Sequence, residues 1–224
     1  MYICTNIWHT FTVNVCQRQG KKTMQSTHSQ IEKVIKNKKR GKIFFGNDFS
    51  SYGTDFAVRH TLSRLCKEGL IIRLGMGIYL YPKKDKEMSL GVLYPSLDTI
   101  AKSIAKKDKA RIAPTGAYAL NRLGLSTQVP VNAVFLTDGS PRRIKIGNGK
   151  GILFKHTAPA NLAFKSDLAM LIVFALKEIS KDKVTQEHLD RIKYVLQKTP
   201  KDVDIMQDVK LMPGWIKSLL TKLL

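Results

Sequence analysis

Along "TDFAVRHTLSRLCKEG" the side chains able to bond an anion return every three or four residues: Arg59, His60, Ser63, Arg64 and Lys67. At 100° per helical residue, Phe56, His60, Ser63 and Lys67 share one side, flanked by Arg59 and Arg64. Val58, Leu62 and Leu65 fall within about 60° of one another on the opposite side and make a core-facing stripe. The polar set reads as free of acids. Guanidinium, imidazole, hydroxyl and ammonium groups in that array can bond phosphates and guanine edges, and an exposed Phe56 can touch a thymine methyl. The alternative is a solvated face on a protein–protein module.

Such a helix acts only if its neighbours hold it. Thr54 stands where an N-cap is needed and Asp55 follows in the first turn, where the dipole favours an anion; Gly69 ends the helix. Upstream, Ser29 can cap a helix with Ile31, Val34 and Ile35 on one face, "KIFF" is a short strand-like run, and Asn47 or Asp48 can cap a brief helix through "DFSSYG". Downstream, "LIIRL" and "GIYLYP" are two β-type runs separated by "GMG", a hairpin signal. Helix, short strand, helix, helix, hairpin is the order of a winged helix-turn-helix. On this reading the helix enters a major groove and Gly75 and Gly77 permit the tight turn. Arg73 and Lys83 then come near flanking phosphates.

The charge balance agrees. The 224 residues carry 38 Lys and Arg against 17 Asp and Glu, a net +21. Residues 24–85 contribute +7 and residues 86–165 contribute +9, so the excess covers most of the chain. A field of one sign favours a polyanion, usually nucleic acid, less often an acidic protein or a membrane face. "LAMLIVFAL" is too short to cross a bilayer. Cys4, Cys16 and Cys66 are odd in number and have no ligand spacing, which fits a reducing cytoplasm. Residues 1–23 lack caps and periodicity and read as a disordered leader or a misassigned start.

Together, "GKIFFGNDFSSYGTDFAVRHTLSRLCKEGLIIRLGMGIYLYPKKD" resembles the N-terminal winged-helix domain of the AbiEi-type antitoxins of bacterial abortive-infection systems. The downstream "RIAPTGAYALNRLGLSTQVPVNAVFLTDGSPRRIKIGNGKGILFKHTAP" resembles their second domain. The resemblance implies autorepression at the protein's own promoter through double-stranded DNA binding. It also implies counteraction of a nucleotidyltransferase-like toxin, without lasting capture, through the second domain.

Read by itself, the second half is mixed. "SLDTIAKSIAKKDK" offers Ser96 or Asp98 as a cap, Thr115 can cap "GAYALNRLG", and "VNAVFLTDG", "RRIKIG" and "GILFKHT" alternate as strands. "GNGKG" lacks phosphate-loop spacing and reads as a hairpin turn. Arg142, Arg143 and Lys145 lie close together on a turn and strand. They form either a solvated edge that discourages sheet aggregation or a second phosphate or partner contact. "SDLAMLIVFALKEIS", apolar nearly all round, reads as a buried helix capped by Ser166. "TQEHLDRIKYVLQK" follows, and "WIKSLLTKLL" forms a terminal helix that packs on its own domain or docks a partner.

No catalytic set emerges. The five histidines share no metal spacing, Asp138 and Asp167 stand alone, and no residue set implies a cofactor or a metal. The expected fold class is therefore α+β: a winged helix-turn-helix over residues 24–85, then a mixed α/β antitoxin-like domain with C-terminal helices over residues 86–224. The expected activity is DNA binding without enzymatic chemistry. A basic winged-helix adaptor lacking sequence specificity is the competing reading.

Overall fold

The computed structural model describes residues 26–85, 91–147, 149–198 and 205–223, with the side chains of residues 84 and 85 set aside. The leader, residues 1–23, lies outside them. The fold is α+β. Helix α1 (Thr27–Lys36) is capped by Ser26, whose hydroxyl accepts from the Ser29 N–H at 3.2 Å. Ser29, the cap expected from the sequence, already lies inside the helix. Ile31 and Ile35 are fully buried one turn apart.

Strand β1 (Ile43–Phe45) runs into a 3₁₀ helix, Gly46–Tyr52. There the Phe45 N–H donates to the Asp48 carboxylate at 2.9 Å, so Asp48 holds the entry from within the first turn. Helix α2 (Asp55–Lys67) follows, then the hairpin of β2 (Ile72–Gly75) and β3 (Ile78–Leu80). β3 lies between β1 and β2 in an antiparallel sheet, with Phe44 and Arg73 both opposite Tyr79. Gly77 adopts φ +68°, as the turn requires, but Gly75 does not use the left-handed region. Gly75 is small for another reason: a Cβ there would lie 2.8 Å from the backbone carbonyl oxygen of Lys145. Gly75 is thus a close contact between distant parts of the chain.

Lys83 is not on this hairpin. It begins β4 (Lys83–Asp85), which pairs with β5 (Gly91–Leu93) in a separate two-stranded ribbon, Lys83 opposite Leu93. The expected boundary after residue 85 therefore falls at the end of a paired strand.

Helix α3 (Leu97–Asp108), capped by Ser96, precedes β6 (Ile112–Thr115), α4 (Gly116–Leu123), β7 (Asn132–Thr137), β8 (Arg142–Lys145) and β9 (Gly151–His156). Thr115 occupies the N-cap position of α4, yet its hydroxyl makes no capping bond. The four-stranded sheet has the order β6-β7-β9-β8, with β7 and β9 parallel and the other pairs antiparallel.

Helices α5 (Asp167–Ile179), α6 (Gln186–Lys198) and α7 (Gly214–Leu223) complete the chain. Every residue of α5 from Ala169 to Leu176 is buried, as its all-round apolar pattern requires. Ile216 and Leu220 of α7 are fully buried in the same cluster, so the terminal helix packs on its own domain.

The cores reveal how the halves are joined. One cluster belongs to the N-terminal elements: Ile31, Ile35, Phe44, Phe49, Val58, Leu62 and their neighbours. A second is shared. Phe45, Leu74, Ile78 and Leu80 pack with Ile100 and Ile104 of α3 and with Phe135, Ile152 and Phe154 of the larger sheet. One backbone bond fastens the same seam, the Gly147 N–H donating to the Leu74 carbonyl at 2.9 Å.

Candidate nucleic-acid interface

Thr54 sets the start of α2 by accepting from the Ala57 N–H at 3.3 Å, and Gly69, at φ +73°, lets the chain leave. Between those points Val58, Thr61, Leu62 and Leu65 are buried. Phe56, Arg59, His60, Ser63, Arg64 and Lys67 are all exposed. The structure thus brings the six expected residues of this helix onto one solvent-facing side. Phe56 is 79% exposed, an unusual place for a phenyl ring, and its ring stacks on His60 one turn on, with centroids 6.2 Å apart.

The face does carry an acid. Asp55 and Arg59 form an exposed i,i+4 pair at 3.4 Å, Arg59 Nη2 donating to Asp55 Oδ2. Asp55, which suits the helix dipole in the first turn, also stands four residues before Arg59, the spacing at which such a pair forms. An exposed pair of this kind contributes at most about 1 kcal/mol, so an incoming phosphate or base edge can displace it. His60, Arg64 and Lys67 have no acidic partner among the described residues.

Arg73 sits on β2, exposed, with its Nε donating to the Gly75 carbonyl at 3.3 Å. Its charge reaches back to α2. Burial pushes the Cys66 thiol and the Tyr79 hydroxyl above their ordinary pKa ranges, and in both cases Arg73 opposes the rise. Arg73 therefore stands near Cys66, in the last turn of α2, and near Tyr79 of β3. A raised thiol also leaves Cys66 protonated and unreactive at neutral pH.

Lys83 is exposed on its ribbon and does not extend the α2 surface through the hairpin. Arg142, Arg143 and Lys145 lie along β8, at the edge of the larger sheet. Arg142 is tied to Asp108 by a close ion pair. Arg143 and Lys145 have no acidic partner among the described residues. Lys107, at the end of α3, joins this group with its Nζ 4.4 Å from the Phe45 ring centroid. The sequence signal for Lys107 was the run "AKKDK" closing an amphipathic helix, where cations suit the dipole.

Among the described residues, no group of three or more His, Cys, Asp or Glu side chains could hold a metal ion, and no helix is long and apolar enough to cross a membrane.

An α+β chain with a basic helix face beside a hairpin is the class these features define. The chain belongs to DUF6088, a family of unknown function, whose model matches residues 30–203. No curated protein matches it.

Truncating Val58 tests whether the stripe behind this face is structural. Val58 is 4% exposed, and Val58→Ala should cost about 1–2 kcal/mol of stability from lost burial and the cavity left behind. Chemical denaturation would read this as a lower midpoint, while the affinity of the folded protein for any partner of the outer face stays unchanged.

Proposed function

We propose that this chain is a sequence-specific DNA-binding protein of winged-helix type, an autorepressing antitoxin of a bacterial type IV (abortive-infection) system. One observation carries the DNA reading: the outer side of α2 presents Arg59, His60, Ser63, Arg64 and Lys67 together with a solvent-exposed Phe56. The order of α1, β1, the 3₁₀ helix, α2 and the β2–β3 hairpin supports placing α2 in a major groove with the hairpin along the backbone. The net +21 supplies the long-range attraction to phosphate. The antitoxin role, the toxin of nucleotidyltransferase type and the cytoplasmic setting rest on the AbiEi resemblance.

On this reading Arg59 and His60, near the start of α2, meet base edges, with Ser63 one turn on. Lys67 and Arg73, at the far end, meet phosphates. Arg59→Ala should cost about 1–3 kcal/mol on the operator and narrow the gap between operator and random duplex. Lys67→Ala should weaken both alike and lower the salt slope by about 1. The measurement is binding to the promoter upstream of the gene and to random duplex at several salt concentrations. If folded Arg59→Ala keeps both affinities, α2 does not read DNA, and a basic adaptor for an acidic protein takes its place.

A further inference from the structure

The shared seam opens on one side into a cleft of about 700 Å³. Its walls come from both halves: the Met76–Gly77–Ile78 turn and Phe45 on one, the end of α3 and strand β8 on the other. The floor is apolar. Phe45, Ile78 and Ile104, which line it, are buried, and Ile144 is partly buried. The rim is basic. Lys107, Arg143 and Lys145 line it without an acidic partner among the described residues, and its carboxylate, Asp108, is already paired with Arg142. Met76, 87% exposed at the lip, is a flexible thioether that can fold over an apolar guest.

A second, smaller cavity of about 220 Å³ lies near Asp98, Lys102, Arg122 and Asp167. There the charges satisfy one another: Arg122 bonds Asp98 at 2.6 Å and Lys102 bonds Asp167 at 3.0 Å. Nothing is left over for a guest. The larger cleft differs on both counts, having spare positive charge and the size of a small-molecule site, roughly 300–1,000 Å³.

We infer that this cleft binds a small amphiphilic anion, an apolar or aromatic body bearing one carboxylate, phosphate or sulfonate group. The body lies on Ile78, Ile104 and Ile144 and the anionic head meets Arg143 and Lys145. A bare phosphate would leave the apolar floor wet, and a neutral hydrocarbon would leave the rim cations unused. Only a molecule with both parts satisfies both surfaces. The site is separate from the outer face of α2, none of whose six residues lines it.

The test uses the full chain and 8-anilinonaphthalene-1-sulfonate, which has such a body and head and fluoresces when sheltered from water. One saturable site is expected. Arg143→Glu with Lys145→Glu should weaken it by roughly tenfold, since two attractions become repulsions at contact distance. Lys193→Glu with Lys217→Glu changes the net charge equally on exposed helix positions outside the cleft, and should leave binding intact. Laurate and adenosine monophosphate then compete for the site. Displacement by laurate assigns an aliphatic carboxylate, and displacement by the nucleotide assigns an aromatic phosphate. Displacement by neither overturns the inference, as does equal weakening in both double variants or no weakening in the cleft pair. Displacement by random duplex DNA at one-to-one stoichiometry also overturns it, because the cleft would then be an extension of a DNA surface.

Discussion

A chain cut after residue 85 should lose the cooperative unfolding of the whole protein and, on the proposed DNA-binding reading, bind DNA far more weakly. The reason lies in the shared cluster. Phe45, Leu74, Ile78 and Leu80 are at most 8% exposed in the intact chain, and much of what covers them is Ile100, Ile104, Phe135, Ile152 and Phe154. Fully burying such a side chain is worth about 1.5–3 kcal/mol. If the cut uncovers half of each, the fragment forfeits roughly 3–6 kcal/mol, against a total stability of about 5–15 kcal/mol for a typical domain. It would also show the cut sheet face to solvent and self-associate. As sequence, residues 24–85 contain the whole helix, strand and hairpin order expected of a winged helix, which suggests a unit able to stand alone. The seam argues otherwise. Thermal melting and sedimentation of the fragment beside the whole chain decide the matter, and a monomeric fragment with an unchanged melting temperature would show that the seam contributes little.

Asp208→Ala should be the most destabilising single substitution among the polar residues named here. Asp208 lies in the 3₁₀ helix Ile205–Leu211 and is 1% exposed, yet both its oxygens are used. They accept from the backbone N–H groups of Lys165 at 2.9 Å and Ser166 at 2.8 Å, immediately before α5. Alanine leaves two N–H groups without acceptors in a closed site, at about 1–3 kcal/mol each where water cannot replace the carboxylate. The expected loss is roughly 2–6 kcal/mol, and the melting temperature should fall by about 4–24 °C. Asp208→Asn keeps one acceptor and should lose less. Ser166→Ala, which removes only the cap bond to the Ala169 N–H at 3.1 Å, should cost about 1 kcal/mol. Near-equal losses for Asp208→Ala and Ser166→Ala would mean that water reaches the site.

Local pattern carried the α2 helix, its two faces and the β2–β3 hairpin, because spacing and glycine placement decide those within a few residues. The buried nature of α5 was legible for the same reason. What was not legible depended on distant partners. Gly75 looked like a turn residue until Lys145 appeared against it, and Lys83 looked like part of the hairpin until β4 paired with β5. The brief helix through "DFSSYG" was legible, but not its 3₁₀ form or its start at Gly46, because Asp48 caps from inside the turn, a geometry that shares its residue types with an ordinary helix start. The bond between Arg59 and Asp55 was available from spacing alone and was overlooked. Apolar periodicity in α3 marked a buried face but could not say that the face serves the shared seam.

The parallel pairing of β7 with β9 places one hairpin at the junction of sheet and seam. β7 and β8 are separated by only residues 138–141, yet β9 lies between them in the sheet. Bridging two strand spacings takes about 9–10 Å, which four residues can span at their extended reach of about 13–14 Å, with little slack. The β8–β9 hairpin, closed by the Ile146 N–H bond to the Lys150 carbonyl at 2.8 Å, is a local unit whose β9 edge pairs with β7. Because Gly147 in its connecting turn also bonds Leu74, one short hairpin is tied both to the sheet and to the seam, so a change that loosens this turn should loosen both.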